Sequence, residues 1–394
     1  MQRPLENVRV LDFTRVLAGP YCTMLLADMG AEVIKIERPG AGDDTRHFGP
    51  FQNGESGYFV YLNRGKKSMA LDLKNPHAIT AIKELVKESD VVVENFRPGV
   101  MKKLGLDFES LKELNPSIIY TSISGFGQYG PYSQRPAYDL VAQAMGGLTS
   151  ITGHPDDPPT RSGASLGDMS AALYAVYGIM VALFHRERTG EGQLIDVAMT
   201  DSIFALLENN VMRYTVDKIV PERIGSRHPI SSPFDIYQAQ DGHVVIAVAN
   251  ESLFGKLAAV MKQPELAEDK RFYLDSLRTK NETELKAIIE NWLRGYTVAE
   301  AVEMISEGGV PCSPILTIGD VCEDEHTKAR EMLIRVDHPV AGPMKIPGNP
   351  VKLSQTPAVI KEASPILGEH TGQVLKDVLK WDWRRLQDLE EQEV

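Results

Sequence analysis

Along the first 200 residues the apolar positions switch repeatedly between two periods. Short apolar runs ("VRVLDF", "AEVIKIE", "SMALDL", "DVVVEN" and "SIIYTSISGFG"), all but "SMALDL" carrying β-branched residues, alternate with stretches whose apolar residues recur at helical spacing. "AGPYCTMLLADMG" predicts a helix stopped at Gly30, and "NPHAITAIKELVKES" an amphipathic helix capped by Asn75. "GVMKKLGL" predicts a short helix and "LKELNP" a helix end. Strand–helix alternation with β-branched strands implies a parallel sheet covered by helices on both faces, a Rossmann-like α/β half. The apolar run "SAALYAVYGIMVALF" reads as a buried helix.

After Gly190 the pattern changes. "GQLIDVAMTDSIFALLENNVMRYTV" reads as a strand followed by a helix, and "DIYQAQDGHVVIAVAN" as a hairpin turning at Asp241-Gly242. Helices at "ESLFGKLAAVM", "TELKAIIENWLRGY" and "VAEAVEMISEGG" follow, then strands around "CSPILTI" and "RVDHPVAGPMKIPGNPVKLS". This divides the chain into a large domain of residues 1–200 with 335–394 and a smaller α+β domain of residues 225–330. Residues 201–224 and 331–334 serve as linkers. The acidic end "LQDLEEQEV" reads as a solvated helix end.

Composition narrows the function. The chain has 394 residues, 24% of them charged, with a net charge of −12, which argues against nucleic-acid binding because phosphate neutralisation needs a dense basic surface. Cys22, Cys312 and Cys322 form neither a disulfide framework nor a zinc spacing, so a reducing cytoplasm fits best. The N-terminus has no signal-peptide pattern, and no stretch reaches the ~18 uninterrupted apolar residues of a membrane span. G-x-G-x-x-G, the P-loop, H-E-x-x-H and the G-x-S-x-G elbow are all absent, so the α/β half carries neither common nucleotide fingerprint, and no metal site is expected.

Candidate chemistry lies elsewhere. Cations follow the predicted strands at Arg38, Arg46, Arg64, Lys66, Lys67, Lys74, Arg97, Lys102 and Lys103, where an open parallel sheet binds ligands and where guanidinium and ammonium groups suit phosphate. The acid pairs Asp43-Asp44 and Asp156-Asp157 sit in turn sequences and read as structural. In "RSGASLGDM", Asp168 lies between small residues and the apolar helix, and on local pattern it reads as a helix N-cap.

The ordered blocks "LDFTRVLAGPYCTMLLADMGAEVIKIERPGAGDDTR", "NRGKKSMALDLKNP", "VVVENFRPGVMKKLGL", "SGFGQYGP", "PAYDLVAQAMGG", "SGASLGDMSAALYA" and "RTGEGQLIDVAM" resemble the class III CoA-transferase family (formyl-CoA transferase-like, CaiB/BaiF) over nearly the whole chain. The resemblance implies that Asp168 is the nucleophile. It implies that CoA is held by Arg38, by Leu71, Asp72, Leu73 and Lys74, by Asn95, Phe96 and Arg97, and by Lys103. Leu17, Ala18 and Tyr138 would approach the acyl end. It further implies an interlocked homodimer, with a CoA thioester as substrate and no permanently bound cofactor. Formyl-CoA:oxalate transferases carry Gln where this chain has Leu17, and racemases of the superfamily carry His where it has Tyr138. The blocks look closest to transferases between acetyl- or succinyl-CoA and oxalate or another dicarboxylate. A formyl donor, an acyl-CoA racemase, a carnitine-type transferase or dehydratase component, and a non-catalytic CoA-binding protein are the alternatives. The mechanism expected is an aspartyl anhydride followed by an aspartyl–CoA thioester. Asp168 would be already ionised at pH 7, with Gly163 and Gly167 amides nearby and residues 225–242 as a closing loop.

Overall fold

The strand order of the main sheet explains where a ligand can enter, and it follows from six short runs. In this computed structural model, which describes residues 3–360 and 362–382, these are β1 (Arg9–Asp12), β2 (Glu32–Glu37), β3 (Lys67–Ala70), β4 (Val91–Glu94), β5 (Ile119–Ser124) and β6 (Leu194–Ala198). They pair in parallel in the order β3-β2-β1-β4-β5-β6, so the order reverses between β1 and β4. Such a reversal opens a crevice at the carboxyl ends of those two strands.

Successive side chains of a strand face opposite ways, and the sheet uses both sides. Val10, Val33, Val91 and Ile119 pack against α1 (Ala18–Asp28) and the long helix Leu166–Thr189. Leu11, Ile34 and Val92 pack with Ala78, Ile82 and Leu85 of α2 (Pro76–Lys87). Asn75 caps α2 through an acceptor bond from the His77 amide (2.9 Å), as its position before Pro76 predicts. Two more helices complete this region's functional framework: α3 (Asp139–Met145) and the 24-residue helix above, here α4.

The helix α4 is only half of what its composition suggests. Its buried face is small-residue (Ala171, Ala172, Ala175, Ala182), and a Cβ at Gly178 would come within 2.9 Å of Ile195, so the helix packs close to the sheet. The opposite face leaves Leu173, Tyr174, Tyr177, Met180, Val181 and Phe184 exposed, which corrects the expectation of a buried helix. By length and apolar content α4 could cross a membrane, a test that core helices also pass.

The described residues fall into two compact units, one within Met1–Leu148, Arg161–Lys218 and Glu325–Val394, the other within Thr149–Thr160 and Ile219–Asp324. The second holds an antiparallel sheet of β7 (Phe234–Gln238), β8 (His243–Ala247) and β9 (Cys312–Pro314) in the order β9-β8-β7. Its hairpin closes at Asp241-Gly242, where the Ala239 amide donates to the Gly242 carbonyl (2.8 Å). Tyr237, Val244 and Ile246 pack there with Phe254, Leu257 and Ile289. The first unit also carries an antiparallel hairpin, β10 (Leu333–His338) with β11 (Gly342–Pro347). The terminal "LQDLEEQEV" lies outside the described residues.

Candidate active site

The crevice at the β1/β4 reversal is lined by the turns that leave those strands. After β1 the chain runs Phe13 to Leu17 and enters α1 without a side-chain cap, so the first-turn amides of α1 have no carbonyl of their own helix to bond. Gly19 makes this possible: a Cβ there would lie 2.2 Å from the Thr14 Cβ. After β4, Asn95 grips the first turn at both ends of one residue. Its Oδ1 accepts from the Arg15 amide (2.9 Å) and its Nδ2 donates to the Arg15 carbonyl (2.7 Å). Glu94 fixes the next step by accepting from the Phe96 amide (2.8 Å).

Asp168 reaches this crevice from α4. Ser165 is the N-cap and makes no side-chain cap bond, so Asp168 is the third helical residue and the N-cap reading is corrected. Its partly buried carboxyl lines a cavity of about 140 Å³ together with Leu17, Ala18, Asn95, Arg97 and Tyr138. The start of α4 is held by Asp139 on α3. Asp139 Oδ1 accepts from the Gly167 amide (2.8 Å) and, at 3.4 Å, from the Asp168 amide. Its Oδ2 accepts from Gln143 Nε2 (2.7 Å), and Gln143 in turn accepts from the Ser162 amide (3.1 Å).

This setting corrects the expected ionisation. Burial first, and the charge of Asp139 second, push the Asp168 carboxyl up to about 7. Its position in the first turn of α4 acts the other way and favours the anion. Near pH 7 Asp168 is therefore divided between acid and carboxylate, not fully ionised. Tyr58, on the helix Gly57–Leu62, has its hydroxyl pushed up to about 12 by burial and by the charges of Asp168 and Asp43.

A second cavity, about 230 Å³, adjoins the first and shares Arg15 and Phe96 with it. Arg38, Leu71, Asp72, Leu73 and Lys74 line it. The run "SMALDL" is strand only to Ala70, and the residues beyond form the wall of this cavity. Arg38, Lys74 and Arg97 are exposed and enter no ion pair among the described residues, so their charges are available to an anion. Lys103 lines neither cavity; it is exposed at the end of the short helix Val100–Lys103.

Four of the other cations are already committed. Arg46 clamps Glu37 with two bonds (2.8 and 2.7 Å), Arg64 pairs with Asp28 (2.7 Å), Lys66 with Asp12 (3.0 Å) and Lys67 with Glu32 (2.6 Å). Arg64 and Lys66 are almost fully buried, so they hold the scaffold and do not face phosphate. Tyr138 is 76% exposed in this chain, and residues 225–242 belong to the second unit. Sequence reasoning passed over Arg15 and Arg135, which with Arg97 line the Asp168 cavity, the Arg15 guanidinium pairing with Asp44 (3.4 Å). Arg15 stands just past a strand end, the signal that picked out Arg38 and Arg97.

The sequence model of "CoA-transferase family III" matches residues 5–371. An acetyl-CoA:oxalate CoA-transferase from Acetobacter aceti is 45% identical over 89% of this chain and 89% of its own length. A succinyl-CoA:glutarate CoA-transferase from Mus musculus is 40% identical over 96% of this chain and 87% of its own. Among solved structures, a CAIB/BAIF family protein from Brucella suis superposes with a TM-score of 0.85 at 38% identity, covering 96% of this chain and all of that one.

Proposed function

The chain belongs to CoA-transferase family III, and from that membership we propose that it moves CoA from acetyl- or succinyl-CoA to a small dicarboxylic acid, oxalate foremost, with Asp168 as covalent carrier. The observation that carries this reading is the placement of Asp168 in a cavity that shares Arg15 and Phe96 with the Arg38 cavity and is lined by Arg15, Arg97 and Arg135. The larger cavity, with its uncommitted Arg38 and Lys74, suits the CoA nucleotide. Guanidiniums suit the second carboxylate of a dicarboxylic acid, which they can bind through paired N–H donors.

The chemistry requires a carboxylate that can store an acyl group without ATP. The Asp168 carboxylate attacks the thioester carbonyl, a C–O bond forms as the C–S bond breaks, and an aspartyl–acyl anhydride and CoA thiolate result. The thiolate then attacks the Asp168 carbonyl, expelling the donor acid with one oxygen that came from Asp168. The acceptor carboxylate displaces the thiolate from the aspartyl–CoA thioester, forming a second anhydride. Attack of the thiolate on the acceptor's acyl carbon releases the product thioester and returns Asp168, now carrying one acceptor oxygen. Leu17, the N-cap of α1, and Ala18, its first residue, line the Asp168 cavity, and an amide of this helix start turned to the thioester would stabilise negative charge on the carbonyl oxygen.

Asp168→Asn should fold normally and lose transfer by about 10³-fold or more. The same assay, run with succinyl- and acetyl-CoA against oxalate, succinate, glutarate and mesaconate, reads acceptor choice. Near-normal turnover by the variant, or transfer to none of these acids, would contradict the proposal. Tyr138 supplies no imidazole base, so α-deuterium exchange into a 2-methylacyl-CoA should stay at background.

A further inference from the structure

We propose that Asp43 is a positioning residue for CoA transfer: it holds Val16 in a left-handed conformation that turns the start of α1 toward the Asp168 cavity. The inference rests on Asp168 as the acyl carrier and adds a residue outside that chemistry.

Val16 has φ +68°, a conformation that a β-branched residue rarely adopts. Something must hold it there, and two tethers do. Asn95 clamps the preceding residue, Arg15, through its amide and its carbonyl. Asp43 Oδ1 accepts from the Val16 amide itself (3.2 Å). Asp43 is in turn immobile: it is 4% exposed, its Oδ1 also accepts from the Thr45 amide (2.9 Å) and hydroxyl (2.8 Å), and its own amide donates to Glu37 (3.0 Å). Lys35 Nζ lies 2.8 Å from Asp43 Oδ2 and donates to the Thr14 carbonyl (2.7 Å), so one buried ion pair ties both ends of the strained turn.

The placement gives the strain a use. Asp43 lines the Arg38 cavity, whereas Val16, Leu17 and Ala18 line the Asp168 cavity. Relaxing Val16 to negative φ would rotate the Val16–Leu17 peptide and swing the first-turn amides of α1 off the reacting carbonyl. The turn-forming role read from the sequence is also present, since Asp43 caps the short helix Asp44–His47. That role alone does not require a bond to Val16.

The test separates the two roles with a double-mutant cycle. Asp43→Asn keeps the size but must turn an amide N–H either toward Lys35 or toward the Val16 and Thr45 amides, which share Oδ1, so the V16G background is what separates the Val16 bond from the Thr45 cap. Lys35 keeps its bond to Thr14, so the variant retains a partner for that charge. With succinyl-CoA and oxalate, or whichever acid of the panel the wild type accepts, D43N should lower kcat about tenfold and move the donor KM less than about threefold. In a V16G background, where glycine takes the same φ freely, the same change should cost less than about twofold. N95A loosens the turn from its other side without exposing a buried charge, and its loss of kcat should shrink in the V16G background likewise; this arm decides if D43N does not fold. Equal loss in both backgrounds, or a change confined to KM or to Tm, would overturn the proposal. Full transfer by D168N would instead overturn the carrier reading and leave the Val16 cycle to be judged separately.

Discussion

Asp168 is poised because two influences act against its charge, and each can be tested. Burial is the larger, and the Asp139 carboxylate the second. Asp139→Asn keeps an acceptor for the Gly167 and Asp168 amides but removes the like charge. The acid limb of kcat/KM, expected near pH 7 in the wild type, should move down by roughly half a unit or more in D139N. A limb that does not move would show that Asp139 serves only to anchor α4. Linkage gives a second test, with a definite sign. A carboxyl whose folded value is about 7 against an ordinary 3.8 makes the fold lose stability as pH rises between those values. D168N removes that loss, so its Tm should exceed the wild type's by about 3 °C or more at pH 8 and match it near pH 4. Equal Tm at pH 8 would contradict the shifted ionisation.

At the scale of elements, the site depends on how α1 and α4 begin. Gly19→Ala would drive a methyl into Thr14, so α1 must shift away from the crevice, and transfer should fall about tenfold or more while α2 and its cap stay in place. Steady-state kinetics with circular dichroism would show this, and unchanged kinetics would show that the start of α1 is not used. The elements of the sheet were legible because β-branched runs and amphipathic spacing are local properties. The strands β1, β2, β4 and β5, the cap at Asn75, the helix stop at Gly30 and the hairpin at Asp241-Gly242 all follow from such patterns. What was not legible is the set of partners. Nothing in "NRGKKSMALDLK" says that Arg64 and Lys66 are buried against Asp28 and Asp12 while Lys74 enters no ion pair among the described residues, since the pairings are made across 36 and 54 residues. Likewise "GDM" before an apolar run reads as a cap, and only the position of Ser165 and the neighbouring Asp139 reveal a carboxyl within the first turn whose charge is opposed. The outward face of α4 was hidden for a related reason, because composition reports how apolar a helix is and not which side is covered.

At the scale of the whole molecule, that outward face is an exposed apolar surface. Leu173, Tyr174, Tyr177, Met180, Val181 and Phe184 form an apolar stripe of a kind that marks an interaction surface. We propose that a second copy of the chain, in the homodimer that the resemblance implies, covers it. Sedimentation equilibrium at micromolar concentration should then give twice the chain mass of 43.6 kDa, and a stable monomer would contradict the dimer. Substrate choice belongs to this scale too. Relatives of 45% and 40% identity are named for acids as different as oxalate and glutarate, and we propose that the rim of the Asp168 cavity selects among such acceptors. Arg15, Arg97 and Arg135 are the rim residues whose charge suits either acid.

The most direct test follows the oxygen atoms. If Asp168 carries the acyl group, each turnover leaves one oxygen of the acceptor acid on its carboxyl. Many turnovers with ¹⁸O-labelled acceptor should therefore shift the mass of the tryptic peptide spanning residues 162–186, in which Asp168 is the one acidic side chain. Label confined to Asp168 is the result predicted. Complete product formation with no label in that peptide would contradict the account.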